Sequence, residues 1–270
     1  MRTIIHLSDL HFGRVDPALL DPLVTAVGAA RPDVLAVSGD LTQRARNSQF
    51  REARAFLDRL PSPQIVVPGN HDVPLYDVVR RFATPLRRFR RHVTAEPAPS
   101  WQDDEIAIIG LNTARSLTFK SGRINADQVA LVARRFAGLD ASILRIVVTH
   151  HPFDLPAQGD EKDLVGRASM AMRGLADCGV DLFLSGHLHQ THASSTVERY
   201  AIEGHSALVV QAGTASSTRG RGESNAFNVI RVALPEIAID TWSWQPAQVA
   251  FVQEQTVVFR RGGSGWSREA

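Results

Sequence analysis

The sequence predicts an α/β domain with a β-rich C-terminal part. Through the first two-thirds of the 270 residues, short apolar runs alternate with segments of helical periodicity, which is typical of strands joined by crossover helices. After His189 the apolar runs follow one another without a convincing helical pattern. No linker rich in Pro, Gly or Ser separates the two parts, so we expect a single domain over residues 1–260.

Each element is predicted from its own periodicity. Strands are expected at residues 3–8, 34–38, 64–68, 105–111, 145–149 and 181–185. Helices are expected at 17–30, 49–60, 75–92 with a bend at Pro85, from Asn125 onwards, and at 168–178. Asn125 and Gln128 match a capping box, and Gly179 matches a left-handed helix cap.

The C-terminal part predicts a second sheet that packs against the first. Its strands are expected at residues 193–197, 207–212, 225–232, 237–244 and 256–260. Glycines are concentrated in residues 261–270, which we therefore expect to form a flexible tail.

Composition narrows the class of protein. Apolar residues make up 44% of the chain, which is enough for a large core and excludes a disordered protein. The net charge of +2 argues against a dedicated nucleic-acid surface. Of the 30 basic residues only Lys120 and Lys162 are lysines, a bias that suits anionic substrates but follows equally from genome composition. The single cysteine, Cys178, and the lack of a membrane-length or signal-like apolar run lead us to expect a cytoplasmic protein without a membrane span.

Polar clusters follow five of the predicted strands. They are Asp9 with His11, Asp40, Asn70-His71-Asp72, His150, and His187 with His189. The carboxyl ends of parallel strands lie at one edge of an α/β sheet, so we expect these side chains to converge. Any one of them alone could be a helix cap, a turn residue or a surface imidazole, whereas the ordered set favours a shared site.

The residue types in these clusters predict a metal centre. Imidazoles and carboxylates suit zinc, iron or manganese, and the lack of clustered cysteines excludes a thiolate site. These clusters offer too many candidate ligands for one tetrahedral ion but suit two divalent ions that share a carboxylate. Asp9 and His11, like His187 and His189, are two residues apart, which in extended chain places both side chains on one side. A glycine, which permits close backbone approach, precedes three of the clusters at Gly39, Gly69 and Gly186.

Over residues 3–189 the chain resembles the calcineurin-like metallophosphoesterase superfamily. The matching motifs are Asp9-x-His11, Gly39-Asp40, Gly69-Asn70-His71-Asp72, His150-x-Pro152 and Gly186-His187-x-His189. Residues 8–13 and 69–72 are most similar to the bacterial class III cyclic-nucleotide phosphodiesterases and their glycerophosphodiesterase relatives. The resemblance implies a four-layer αββα sandwich, in which two packed mixed β-sheets are flanked by helices.

The resemblance also implies a role for each clustered residue. The first metal would be bound by Asp9, His11 and His189, and the second by Asn70, His150 and His187. Asp40 would bridge the two ions. His71, held by Asp72, would face the substrate phosphate and assist the leaving group.

The implied reaction is the hydrolysis of a phosphodiester. Phosphodiesters are anionic and repel hydroxide, so hydrolysis needs both charge neutralisation and an available nucleophile, which two divalent ions supply. We expect a hydroxide bound between the ions to attack phosphorus, with His71 near the leaving oxygen. The expected substrate is a cyclic nucleotide or another small phosphodiester.

Two further residues are candidate substrate contacts. Arg14 closely follows Asp9-x-His11, and Asn112 stands where the cyclic-nucleotide members tend to have the aspartate of a Leu-Asp-Ser or Leu-Asp-Thr segment. Residues 80–91 include six arginines, which predict a solvated helix face, a basic cap over the site, or a surface for acidic lipid or nucleic acid.

Other functions within the superfamily stay open. They are a phosphomonoesterase, a nucleotide or lipid pyrophosphatase, and a small nuclease. The pyrophosphatase branch typically has arginine at the position of His71, and repair nucleases usually need additional elements. A metal-free protein-binding scaffold is the non-enzyme alternative, and the intact ligand set argues against it. Dimers occur among the resembling phosphodiesterases, which leaves a homodimer open.

Overall fold

The computed structural model describes residues 1–156, 159–219, 222–263 and 265–269. The helices are α1 (Pro17–Ala29), α2 (Asn47–Leu57), α3 (Val78–Ala83), α4 (Arg87–His92), α5 (Ala126–Phe136) and α6 (Ala168–Asp177). The strands up to the middle of the chain are β1 (Arg2–Leu7), β2 (Val34–Val37), β3 (Gln64–Val66), β4 (Ser100–Gln102), β5 (Ile106–Gly110) and β6 (Leu144–Val148). They are followed by β7 (Leu182–Ser185), β8 (His192–Ser195), β9 (Leu208–Gln211), β10 (Ala226–Ala233), β11 (Glu236–Gln245), β12 (Ala250–Gly262) and β13 (Gly265–Arg268).

Within the described residues the strands form two mixed sheets. The seven-stranded sheet has the order β13-β12-β11-β10-β1-β2-β3, in which β1, β2 and β3 are parallel. The six-stranded sheet has the order β4-β5-β6-β7-β9-β8, in which β5, β6, β7 and β9 are parallel. The parallel strands lie at one end of the seven-stranded sheet and in the centre of the six-stranded sheet. The carboxyl ends of both sets of parallel strands can meet at one edge of the sandwich.

Three buried clusters separate four layers. Alternate residues of β1 show the arrangement, since Ile5 packs with α1 and α2 on the outer face while Ile4 packs between the two sheets. The outer face of the six-stranded sheet packs against α5 and α6, with Val147 and Phe183 among its buried residues. The predicted αββα sandwich of two mixed sheets flanked by helices is confirmed.

The C-terminal strands do not form a sheet of their own, contrary to the sequence-based expectation. β10 to β13 extend the first sheet because β10 pairs antiparallel with β1, whereas β8 and β9 belong to the other sheet. Periodicity predicts where strands lie, but it does not predict which strands, distant in sequence, pair with each other. We expected residues 261–270 to form a flexible tail, but part of this segment is in a strand. β13 pairs antiparallel with the end of β12, with Arg261 opposite Trp266.

Local signals agree more closely with the structure. The expected helix at residues 75–92 is two short helices, α3 and α4, which are interrupted around Pro85. The capping box is present, since Gln128 N donates to Asn125 Oδ1 over 2.9 Å and Asn125 N donates to Gln128 Oε1 over 3.1 Å. Gly179 has a φ of 68°, as expected of a left-handed cap. Among the described residues, no helix is long and apolar enough to cross a bilayer.

Candidate metal centre

The carboxyl ends of parallel strands from both sheets meet at one site. Asp9 and His11 follow β1, Asp40 follows β2, and Asn70 follows β3. From the six-stranded sheet, His150 follows β6, and His187 and His189 follow β7. The structure brings all seven predicted ligand residues together, as the strand-end argument expects.

The backbone at these residues is left-handed rather than extended. Asp9 and His11 have φ values of 54° and 50°, and His187 and His189 have 74° and 60°. The prediction that extended chain aligns each pair is therefore wrong, although the side chains of each pair do share the site. Positive φ is uncommon outside glycine, and such conformations concentrate at functional sites, where the surrounding structure holds them.

Asp9, His11 and His189 form the first group of donor atoms. Asp9 Oδ1 lies 3.1 Å from His189 Nε2 and 3.4 Å from His11 Nε2, and the two ring nitrogens are 3.3 Å apart. The second carboxylate oxygen of Asp9 accepts hydrogen bonds from Ser8 Oγ and His187 N. This leaves Asp9 Oδ1 facing the two imidazoles, buried and, among the described residues, without a donor in hydrogen-bond geometry.

Asn70, His150 and His187 form the second group. His150 Nε2 lies 3.1 Å from Asn70 Oδ1 and 3.3 Å from His187 Nδ1. The other ring nitrogen of His150 is bonded to the Ser38 carbonyl oxygen over 2.7 Å, which orients the ring. The amide of Asn70 is oriented in the same way, because its Nδ2 donates to the Phe119 carbonyl oxygen and turns Oδ1 towards His150.

Asp40 lies between the two groups. Its Oδ2 is 3.7 Å from His11 Nε2 and 3.5 Å from His150 Nε2, while its Oδ1 accepts a hydrogen bond from His71 N. One carboxylate oxygen therefore faces an imidazole of each group, which is the arrangement needed by a carboxylate shared between two ions.

The donor atoms fit divalent metal ions. Ligand atoms bound at about 2.0–2.2 Å in a tetrahedron lie about 3.3–3.6 Å from each other. The separations within the two groups, 3.1 to 3.4 Å, agree with that geometry. Asp9 Oδ1 is a second indication, because no donor of the described residues satisfies this buried carboxylate oxygen and a bound cation would.

The buried carboxylates determine the charge of the site. Burial alone would raise the pKa of Asp9, but the nearby His189 and His11 hold it well below its ordinary value. Burial would lower the pKa of His150, but Asp40 and Asp9 raise it to about 9. The lowered pKa keeps Asp9 ionised, and the raised pKa of His150 indicates a negative potential at its ring, which favours a divalent cation that displaces the ring proton on binding.

Two glycines permit the close packing around these ligands. A Cβ on Gly69 would collide with the carboxylate of Asp40, and a Cβ on Gly186 would collide with Ser8 Oγ and lie 2.6 Å from Asp9 Oδ2. Backbone therefore approaches both carboxylates at distances that a side chain would prevent.

His71 faces a cavity of about 250 Å³ that opens onto the donor groups. Its Nδ1 is bonded to the Gln43 carbonyl oxygen over 2.9 Å, and its Nε2 lies 3.0 Å from Arg219 Nη1. Burial, with the charges of His11 and Arg219, lowers the pKa of His71. Because a guanidinium only donates hydrogen bonds, Nε2 is the acceptor and Nδ1 carries the proton.

Asp72 does not hold the His71 ring, which corrects the sequence-based role. Its carboxylate accepts hydrogen bonds from Leu41 N, Thr42 N, Thr42 Oγ1 and Gly69 N over 2.9 to 3.1 Å. Asp72 therefore joins the loop after β2 to the loop after β3, while the Gln43 carbonyl orients His71.

The two expected substrate contacts lie outside this cavity. Arg14 is exposed and lines a separate cavity between α1 and α2. Asn112 lines another cavity, and its Oδ1 accepts a hydrogen bond from Ala114 N. Arg14 is near His11 in sequence and Asn112 follows β5, but the side chains of both lie at other cavities. Four arginines of residues 80–91 do not cap the centre either, since Arg80, Arg87, Arg88 and Arg91 line a different cavity.

Several residues that line or support the cavity were missed by sequence reasoning. The cavity is lined by Arg219, Arg44, Lys120 and Phe119, among others. Arg219 follows β9, whose carboxyl end lies at the same edge as that of β7, so the strand-end argument could have included this polar loop. His151 lies directly behind the ligands, with a ring centroid 4.6 Å from that of His187. Both of its ring nitrogens are bonded, to Thr113 Oγ1 and to the Lys120 carbonyl oxygen.

The fold and the site define a class of hydrolase in which a two-sheet sandwich carries a pair of metal sites at its strand ends. The family model of the calcineurin-like phosphoesterases matches residues 2–191. The chain belongs to this family and is a metal-dependent phosphoric ester hydrolase.

Comparisons with individual proteins agree. The chain is 29% identical over 211 residues to a probable cyclic nucleotide phosphodiesterase from Synechococcus sp., covering 70% of this chain and 73% of that one. It is 27% identical over 259 residues to a cAMP/cGMP dual specificity phosphodiesterase from Mycobacterium tuberculosis, covering 85% and 75%. Its fold is similar to that of a dimetal phosphatase from Danio rerio, with a TM-score of 0.67 at 13% identity over 98% of this chain and 99% of that one.

Proposed function

We propose that the protein hydrolyses a small phosphodiester, with cyclic nucleotides as the favoured substrate class. The observation that carries the proposal is the pairing of the two donor groups with a small cationic cavity. Arg44, Lys120 and Arg219 line this cavity, which at about 250 Å³ lies below the ~300–1,000 Å³ of ordinary small-molecule pockets. A small anionic ester suits both its charge and its size. The two relatives named as cyclic nucleotide phosphodiesterases support the same class.

In this proposal each of the two donor groups defined by the distances above binds one metal ion. Asp9, His11 and His189 hold one divalent ion, Asn70, His150 and His187 hold the other, and Asp40 contacts both. Manganese, iron and zinc all suit imidazole and carboxylate donors. When bound, two such ions neutralise the phosphoryl oxygens and lower the pKa of water from 15.7 to about 7.

The remaining side chains act on the substrate itself. The Arg219 guanidinium forms charge-assisted hydrogen bonds to the phosphate. When it does so, it no longer makes the 3.0 Å contact with His71 Nε2 that the structure shows. Without that contact, His71 Nε2 takes up a proton from solvent and donates it to the leaving oxygen, while the Nδ1 proton stays hydrogen-bonded to the Gln43 carbonyl and holds the ring in place. Lys120, paired with Asp163, adds positive charge at the same wall.

The test is a parallel assay of manganese-loaded protein on 3′,5′-cyclic AMP, 2′,3′-cyclic AMP, bis-p-nitrophenyl phosphate and single-stranded DNA. We expect hydrolysis of at least one cyclic nucleotide and of the activated diester, and loss of both after chelation. The matched control is the Asp40→Asn protein, which should be inactive on all four. Hydrolysis of DNA alone, or no hydrolysis of any diester by the metal-loaded protein, would refute the proposal.

A further inference from the structure

Phe119 is an exposed aromatic ring at the wall of the active-site cavity. The residue is 65% exposed and lines the cavity with His71 and Arg219. Its carbonyl oxygen accepts the hydrogen bond from Asn70 Nδ2, so Phe119 contacts a proposed metal ligand through its backbone. Its place at the cavity wall, rather than its exposure alone, puts the ring within reach of a ligand that enters the cavity.

One face of this ring is covered by Arg81. The guanidinium carbon lies 4.5 Å from the ring centroid, a cation–π distance, and Arg81 is only 3% exposed. The same guanidinium donates hydrogen bonds to the carbonyl oxygens of Pro74 and Ser116 over 2.8 and 2.7 Å, and to that of Thr118. A buried arginine therefore fixes both the ring and the backbone just before it.

The loop is anchored on its other side as well. His151 Nε2 is bonded to the Lys120 carbonyl oxygen over 2.8 Å, and Lys120 Nζ pairs with Asp163. Phe119 thus lies between two anchored points, and its ring is held in position before any ligand binds. Preorganisation of this kind reduces the entropy that a ligand loses on binding, so the open face is suited to selective contact.

We propose that Phe119 is a stacking platform for the nucleobase of the substrate, a role that rests on the proposed function of the centre. The cavity cations hold the phosphate, and a flat, partly polar base covers the open face of the ring while Arg81 keeps the other face. Arg81 is a positioning residue in this scheme. Stacking on an aromatic side chain contributes ~1–3 kcal/mol per base, whereas a glycerol ester has no ring to stack. The platform therefore selects nucleotides over aliphatic phosphodiesters.

The test compares adenosine 5′-monophosphate with ribose 5-phosphate, which differ by the base. Both are measured as inhibitors of bis-p-nitrophenyl phosphate hydrolysis by the manganese-loaded protein. In the parental protein we expect the nucleotide to bind ~5- to 150-fold more tightly, the fold-change that corresponds to stacking of one base. Phe119→Leu should reduce this ratio to about 1 by weakening nucleotide binding alone. Phe82→Leu is the matched control, because Phe82 is 56% exposed on α3 and does not line the cavity.

A binding measurement separates failure of the platform from failure of the proposed function. Phe119→Trp should show fluorescence quenching by adenosine 5′-monophosphate but not by ribose 5-phosphate. If the activated diester is not hydrolysed while selective quenching persists, the proposed function fails and the platform stands. If hydrolysis proceeds and Phe119→Leu leaves the inhibitor ratio unchanged, the platform is wrong.

Discussion

The Nη1 atom of Arg219 lies 3.0 Å from Nε2 of His71, although 148 residues separate the two in sequence. Arg219 comes from the loop after β9 in one sheet, and His71 from the turn after β3 in the other. The contact therefore closes the cavity from both sheets. While this contact is made, the arginine donates and the imidazole has a lone pair at Nε2, so Arg219 must release Nε2 before His71 can take up a proton and donate it to the leaving oxygen. We therefore expect substitutions of Arg219 and His71 to have different effects on catalysis.

Arg219→Ala should lower kcat/KM for phosphodiesters while leaving the metal content unchanged. Hydrogen bonds to charged groups contribute ~1.5–3 kcal/mol, so we expect a ~10- to 150-fold decrease. Arg219→Lys should recover part of it, since lysine keeps the charge but not the planar fork. Steady-state kinetics and elemental analysis on the same samples measure both quantities.

Arg14→Ala is the matched control for Arg219. Arg14 is the arginine that the sequence favours for substrate contact, yet it lines the cavity between α1 and α2. Its removal should change kcat/KM less than twofold. A large loss for Arg14→Ala with none for Arg219→Ala would reverse the assignment made from the structure.

His71→Ala should retain metal and lose activity in a way that depends on the leaving group. Assistance to a leaving oxygen is typically worth ~100- to 10,000-fold, so alkyl esters should lose most of their turnover and p-nitrophenyl esters much less. Rates for a series of esters of graded leaving-group pKa check this prediction. A uniform loss across the series would indicate that His71 only shapes the cavity.

Asp72→Asn should destabilise the protein without producing the leaving-group dependence of His71→Ala. Each oxygen of Asp72 accepts from two donors, Oδ2 from Leu41 N and Gly69 N, and Oδ1 from Thr42 N and Thr42 Oγ1. An amide can serve only one of these pairs, and buried donors left without acceptors cost ~1–3 kcal/mol.

Urea unfolding of the metal-free proteins measures the effect, with Asp127→Asn as a control because Asp127 is exposed in the first turn of α5. Unchanged stability of Asp72→Asn, together with a loss confined to poor leaving groups, would restore the direct role expected from sequence.

The contrast between Asp40 and Asp72 shows how far the sequence can predict this site. Both follow strands, and strand ends are visible as apolar runs that stop before a polar cluster. That local signal was sufficient to predict that seven ligand residues lie at one edge of the sandwich. The direction of each side chain beyond the strand depends on loop dihedral angles, such as the φ of 51° at Asp40, and single-sequence periodicity carries no record of them.

Contacts between distant segments were beyond prediction for the same reason. β10 pairs with β1 from Arg2 opposite Val232 to His6 opposite Asn228, and no local pattern specifies that register. The same holds for Phe119 and Arg81, whose contact depends on how two loops fold over each other. Neighbouring residues determine helices, strands and the positions where strands end. The pairing of strands in a sheet and the walls of a cavity depend on contacts between residues that are distant in sequence.

Asp40→Ala should remove most of the bound metal, because its Oδ2 lies within 3.7 Å of an imidazole nitrogen in each donor group. We expect elemental analysis to find about two ions per chain in the parental protein and fewer than one in the variant. At a manganese concentration of ~100 times Kd, each occupied site should stabilise the parental protein by ~2.7 kcal/mol against urea, and the variant should gain little. Asp58→Ala, at the exposed end of α2, should behave like the parental protein. Full metal content in Asp40→Ala would show that the two groups bind ions independently of the carboxylate between them.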